Sequence, residues 1–228
     1  MKRLNLVLHV AFAVIVVIQL FGSWVSSRSI EYAVKPLILL WIATFFLLNS
    51  RPARYRWLVL LAFFFSWLGD LVLMFAWKSE LLFFAGVGGF LCSQITYILA
   101  FLTYRIDSGK GLIRRKPVWL LAFGLYFAVL FLILLPGLDG IMIPVVVVYA
   151  LSLTGMSIAA ANRHGLVSPR DFALVFSGSV LFLISDSLLA INKFITDLPR
   201  EGFLVMLTYI AAQYLIMRGM AGTGIPKT

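Results

Sequence analysis

Two aspartates embedded in apolar sequence are the residues best suited to do chemistry in this chain. Asp186 lies in LFLISDSLLAIN, 181–192, between Ser185 and Ser187, and Asp70 lies in SWLGDLVLM, 66–74. The other seven acids, Glu31, Glu80, Asp107, Asp139, Asp171, Asp197 and Glu201, fall between the apolar runs or at their ends. An aspartate at the centre of a membrane helix costs about 2.5–3.5 kcal/mol on insertion scales, so each of the two needs a partner or a task. Burial disfavours a charged carboxylate, and two carboxyl groups sharing a site resist ionising together. Brought together, they would supply one proton donor and one base, as in aspartic proteases and glycosidases. Other hydrolytic toolkits are missing from the sequence, which has no G-x-S-x-G and no H-E-x-x-H. Its two histidines, His9 and His164, are too few for a three-histidine zinc site and badly placed for a triad. The one cysteine, Cys92, allows neither an internal disulfide nor a thiolate cluster. The expected chemistry therefore uses no metal and no cofactor.

The elements that carry these acids follow from composition. The 228 residues are 62% hydrophobic and 12% charged, with a mean hydropathy of +1.03. A soluble domain is about 45–50% apolar and about 25% charged, so this chain belongs in a bilayer. A helix needs about 20 apolar residues to cross, and eight candidate spans appear at 4–25, 32–49, 57–76, 80–103, 117–136, 141–161, 170–192 and 202–220. The runs lack the alternation of barrel strands, so the fold class is all-α: a polytopic membrane protein forming one transmembrane domain over 1–228. The links RPARYR, DSGKGLIRRKP and NRHGLVSPR are short and basic, and no internal repeat is visible. The first run is longer than the apolar core of a cleaved signal peptide.

Charge sets the expected orientation. Fourteen of the nineteen lysines and arginines lie on the side of the N-terminus: Lys2, Arg3, Arg51, Arg54, Arg56, Arg105, Lys110, Arg114, Arg115, Lys116, Arg163, Arg170, Arg218 and Lys227. Arg28, Lys35, Lys78, Lys193 and Arg200 lie on the other. This bias predicts both termini in the cytoplasm, and in a bacterium an inner-membrane location. It also accounts for the net charge of +10 without nucleic acid, since the cations punctuate the apolar runs rather than forming one patch.

The third and seventh spans both run outward, and each aspartate lies six residues before its predicted end, at 76 and 192. At 1.5 Å per residue, both sit about 9 Å below the outer boundary. Other polar groups approach that level. Lys35 opens the second span ahead of Pro36, and Thr208 and Tyr209 enter the eighth from the same side. Ser66 shares a helical face with Asp70, while Ser93, Gln94, Tyr97 and Tyr149 lie somewhat deeper. These positions predict one polar chamber open to the outer leaflet, lined by spans two, three, four, six, seven and eight. Asp70 and Asp186 are its candidate catalytic residues. Lys35, Ser66, Ser93, Gln94, Tyr97, Tyr149, Ser185 and Tyr209 are its candidate substrate-binding residues.

Each feature also has a plainer reading. The aspartates could serve packing, bonded to neighbouring helices or paired with Lys35, and the tyrosines could be ordinary interface aromatics. Lys35 could be a topology anchor, and Lys193 reads as an anchor that snorkels. GVGG at 86–89 and SGS at 177–179 read as close helix packing rather than phosphate loops.

The run GSVLFLISDSLLAINKF, 178–194, resembles the signature of the YhhN/TMEM86 family of lysoplasmalogenase-like membrane proteins. VKPL at 34–37, SWLGDLVLM at 66–74 and FLCSQITYILAF at 90–101 agree with it in order and spacing. The resemblance covers most of the chain and implies eight spans. It also implies hydrolysis of the vinyl-ether bond of a lysophospholipid substrate, a lysoplasmalogen, releasing a fatty aldehyde and a glycerophospho-headgroup. The position of Lys35 near the membrane surface would let it hold the phosphate of such a substrate. One position departs: relatives often carry a histidine three residues before the tyrosine, where this chain has Gln94 before Tyr97. Glutamine can hydrogen-bond but cannot shuttle a proton near neutral pH. The alternatives to an enzyme are a transporter or proton-coupled carrier, since intramembrane acids also mark ion pathways, and a non-catalytic lipid-binding protein.

Overall fold

In the computed structural model, residues 2–103 and 109–222 are described. Arg105, Asp107 and Lys227, which enter the charge reading above, lie outside them. Among the described residues there is no strand, and eight helices are long and apolar enough to cross a membrane. They are α1 (Lys2–Trp24), α2 (Arg28–Asn49), α3 (Arg54–Leu73), α4 (Glu80–Thr103), α5 (Trp119–Leu134), α6 (Met142–Ala161), α7 (Pro169–Phe194) and α8 (Glu201–Met220). The protein is a multi-pass integral membrane protein. Short 3-10 turns, Ala76–Lys78 and Leu135–Gly137, follow α3 and α5, and a single helical turn, Leu112–Arg115, interrupts the α4–α5 link.

The second, third and seventh helices begin or end away from the predicted positions, and each shift has a local cause. The second starts at Arg28 rather than 32, so Pro36 lies in its interior instead of at its start. There Pro36 lacks the amide that would bond the carbonyl of Tyr32, while its own carbonyl accepts from Trp67 Nε1 at 3.1 Å. The outer turn is held instead by side chains: Ser23 Oγ donates to Glu31 at 3.0 Å, and Trp77 Nε1 donates to Tyr32 Oη at 3.0 Å. The third helix ends at Leu73, where Tyr32 Oη donates to the freed carbonyl of Met74 at 3.2 Å. The seventh runs on to Phe194, and Asn192 then accepts from the amide of Leu198. At its other end, Ser168 Oγ accepts from the amide of Asp171 at 3.1 Å, ahead of Pro169 in the first turn. Asp70 is therefore three residues from its helix end and Asp186 eight, so the equal six-residue spacing expected from sequence does not hold.

Helix association in lipid depends on close packing more than on solvent expulsion, which favours small residues at contacts. The two most intimate pairs are α7 with α8 and α3 with α4. A Cβ on Gly178 would lie 2.8 Å from the carbonyl oxygen of Ala212, and one on Gly89 would lie 3.0 Å from the Cα and N of Gly69. The GVGG and SGS segments are thus helix contacts. Aromatic and aliphatic side chains of α2, α3, α4, α7 and α8, among them Phe46, Phe63, Tyr97, Phe182 and Ile216, fill the centre. The first helix leans on α2 and α8, where Trp41 Nε1 donates to the Leu8 carbonyl and Phe12 stacks on Trp41 at 4.1 Å. The fifth lies outermost and buries only Leu130 and Leu134.

Candidate active site

The intimate pairs place one aspartate each. Asp70 follows Gly69, whose missing side chain lets α4 approach, and Asp186 lies two turns beyond Gly178 on α7. Both are nearly out of reach of surroundings, 4% and 9% exposed. Their partners differ. Asp70 is held at both oxygens: Lys35 Nζ stands 3.2 Å from Oδ1, and Tyr209 Oη donates to Oδ2 at 2.7 Å. Asp186 is held at one. Tyr149 Oη and Gln94 Nε2 both donate to Oδ2, at 2.5 and 3.1 Å, and no described residue donates to Oδ1.

Two chambers meet at Asp186, where the sequence led us to expect one. The polar chamber runs between α2, α3, α4, α7 and α8, with Glu31, Lys35, Asp70, Asp186, Glu201 and Tyr209 among its walls. The apolar chamber runs between α3, α4, α5, α6 and α7, and its walls are hydrocarbon or aromatic except for Tyr149 and Asp186. Their cavity volumes are about 220 and 60 Å³, and both open to the surroundings. Leu73, Phe83, Phe90 and Leu189 face both and form the partition. Phe90 is fixed edge-on against Phe182 and Tyr209, with centroids at 6.2 and 5.8 Å. The arrangement suits an amphiphile, with a polar part beside the acids and a chain among the hydrocarbon walls.

The predicted site residues divide accordingly. Lys35, Asp70, Ser185, Asp186 and Tyr209 line the polar chamber, and Tyr149 lines the apolar one. Ser185 Oγ donates to the Val205 carbonyl at 3.1 Å, and Thr208 Oγ1 bonds back to the carbonyls of Leu204 and Val205. Ser66, Ser93 and Tyr97 line neither chamber; they form a closed chain with Gln213. Tyr97 Oη donates to Gln213 Oε1, Gln213 Nε2 donates to Ser66 Oγ at 3.0 Å, and Ser66 lies 2.7 Å from Ser93. Because Ser93 Oγ donates to the Ala62 carbonyl at 2.9 Å, the bridging hydrogen comes from Ser66. All four side chains are fully buried and spent on one another, so they clamp α3, α4 and α8 beneath the site. Gln94 is equally buried and reaches Asp186 from behind.

Glu31 and Glu201, read from sequence as span-end acids, stand on the polar wall. Gln213 was also missed. It lies four residues after Tyr209, hence on the same helical face. Lys193 stands in a third, polar pocket with Glu80 and Asp139, its Nζ 5.0 Å from the centroid of Phe83. Among the described residues, no three His, Cys, Asp or Glu side chains converge as a metal site.

A model of the YhhN family matches residues 30–220, a stretch that contains every residue placed around the two chambers from Glu31 to Tyr209. The chain belongs to the YhhN family. As a YhhN protein it is similar to human lysoplasmalogenase TMEM86B, with 28% identity over 211 residues, 91% of this chain and 84% of that one. It is similar also to rat lysoplasmalogenase TMEM86B, with 31% identity over 194 residues, 85% of this chain and 72% of that one. No solved structure matches.

Proposed function

We propose that this YhhN protein is a membrane-embedded hydrolase that cleaves the vinyl-ether bond of a lysoplasmalogen, releasing a fatty aldehyde and a glycerophospho-headgroup. The names of its relatives support the reaction class. The observation that carries the reading to this chain is the position of Asp186, at the junction of a polar and an apolar chamber with Asp70 on the same polar wall. A lysoplasmalogen laid across that junction puts its vinyl ether, where headgroup meets chain, beside the two acids.

The partner sets distribute the roles. Lys35 supplies positive charge to Asp70, which suits it to remain a carboxylate. Asp186 is met by neutral donors and borders hydrocarbon, and its Oδ1 has no partner among the described residues. Asp186 is therefore assigned as proton donor and Asp70 as base. The proton on Asp186 passes to the β-carbon of the vinyl ether. The alkene electron pair forms the new C–H bond, and an ether-oxygen lone pair completes an oxocarbenium ion, which the Asp70 carboxylate stabilises. Water adds to the cationic carbon and gives a proton to Asp70. The hemiacetal then collapses: Asp70 protonates the departing glycerol oxygen, and Asp186 takes the hemiacetal hydroxyl proton as the aldehyde forms. One water is consumed and both acids return to their starting states. The charge bias read from sequence supports an orientation with both termini in the cytoplasm and the polar mouth on the opposite face.

The decisive experiment incubates purified protein with lysoplasmalogen and, separately, with the ordinary acyl lysophospholipid, measuring aldehyde and free fatty acid. Aldehyde from the first and nothing from the second is expected. Fatty acid release would point to an esterase, and lipid or ion flux in proteoliposomes without either product would point to a carrier.

A further inference from the structure

We propose that Tyr149 and Gln94 are positioning residues: they fix the proton of Asp186 on Oδ1 and hold the charge that its departure leaves. The inference rests on the assignment of Asp186 as proton donor. Its ground is the one-sided bonding of that carboxyl group. Tyr149 Oη from α6 and Gln94 Nε2 from α4 converge on Oδ2 at 2.5 and 3.1 Å, and Oδ1 receives nothing from any described residue. A proton on Oδ2 would crowd three hydrogens around one oxygen. A proton on Oδ1 leaves Oδ2 as pure acceptor for both donors and directs the acidic O–H away from them. Asp70 has no such asymmetry, because Lys35 and Tyr209 occupy one oxygen each.

The same two donors act in the next moment. When the proton moves to carbon, negative charge spreads over both carboxyl oxygens, and Oδ2 already faces two hydrogens held by packed helices. Donors preorganised where charge develops need no rearrangement at the transition state, and removing one such donor typically costs about 100-fold in kcat. Beyond Asp186, Gln94 meets Tyr149, the other donor to the same oxygen. It is fully buried, lines neither chamber, and its Oε1 bonds to nothing among the described residues. Its role is thus to donate to Asp186, not to contact substrate, and an imidazole N–H could do the same.

The test is steady-state aldehyde release by purified Tyr149→Phe, Gln94→Met, Gln94→His and Asp186→Asn, each with its thermal melt in detergent. Tyr149→Phe and Gln94→Met should each lower kcat about 100-fold with KM within about threefold. Gln94→His should recover to within about fivefold of the parent, because it restores a donor. Loss confined to KM would make these residues substrate contacts, and a histidine variant no better than methionine would make Gln94 mere packing; either result overturns the inference. If Gln94→Met fails to fold, Tyr149→Phe decides alone, since it keeps the ring in the apolar wall. An active Asp186→Asn overturns the underlying assignment itself. An inactive Asp186→Asn beside unimpaired Tyr149→Phe and Gln94→Met overturns only the positioning role.

Discussion

Asp70 and Asp186 are chemically identical side chains made different by their neighbours, and that difference can be tested one residue at a time. Asp70→Asn and Asp186→Asn are near-isosteric and keep part of the hydrogen bonding. Each is expected to lower kcat at least 100-fold on a lysoplasmalogen while the protein elutes as a folded species, with the melt lowered only in Asp70→Asn, which strands Lys35; turnover within tenfold of the parent in either would remove that residue from the mechanism. Lys35 gives a second test. Its side chain is 17% exposed and lies 3.2 Å from Asp70. Breaking a buried pair strands the remaining charge and is far more damaging than replacing both partners. Lys35→Met should therefore lower the melting temperature and kcat together, and adding Asp70→Asn should restore the melt without restoring activity. A phosphate-anchoring role alone would instead raise KM and leave the melt untouched. The sequence made Asp70 and Asp186 visible because charge inside an apolar run is conspicuous. It could not tell the clamp residues Ser66, Ser93 and Tyr97 from chamber residues, because a hydroxyl on the right face of a helix looks the same whether its partner is substrate or Gln213.

At the scale of the helix, continuous apolar length made all eight spans readable, and short basic links made their ends approximate. What length and polarity leave unmarked is termination. The end of α3 at Leu73 and the early start of α2 depend on Tyr32, Trp77 and Glu31 bonding across the outer turns, contacts between segments that are distant in sequence. Small residues, by contrast, were informative as motifs, and the GVGG segment allows a sharp comparison. A Cβ on Gly89 would press on the Cα and N of Gly69 at 3.0 Å and on the Phe65 carbonyl at 3.2 Å, all backbone that cannot turn aside, whereas a Cβ on Gly88 meets nothing within 4 Å. Overpacking a tight contact costs typically about 1–3 kcal/mol. Gly89→Val should lower the melting temperature and, by moving α4 against α3, the activity; Gly88→Val should match the parent in both. Equal behaviour of the two valine variants in a detergent melt would contradict the α3–α4 contact described here.

Across the whole molecule, the consequential feature is the split of one expected cavity into two that converge on Asp186. The division is made by Leu73, Phe83, Phe90 and Leu189, residues indistinguishable in sequence from the many others that face lipid, so only the packed structure discloses it. If the apolar chamber holds the alkenyl chain, its occupancy must matter more for long chains than for short ones, whereas the acids and the polar chamber serve both alike. Val146 offers a way to separate these effects. It lies on the apolar wall from α6, three residues before Tyr149, and touches neither aspartate by any hydrogen bond. Val146→Trp fills part of that chamber with an indole while leaving Tyr149, Gln94 and Lys35 in place. With a long-chain lysoplasmalogen, kcat/KM should fall at least tenfold, mainly through KM. With an analogue truncated to a few carbons, which never reaches the indole, it should stay within about threefold of the parent. Equal losses on both substrates would mean that the chain lies elsewhere, and the polar chamber alone would then have to accommodate the whole lipid.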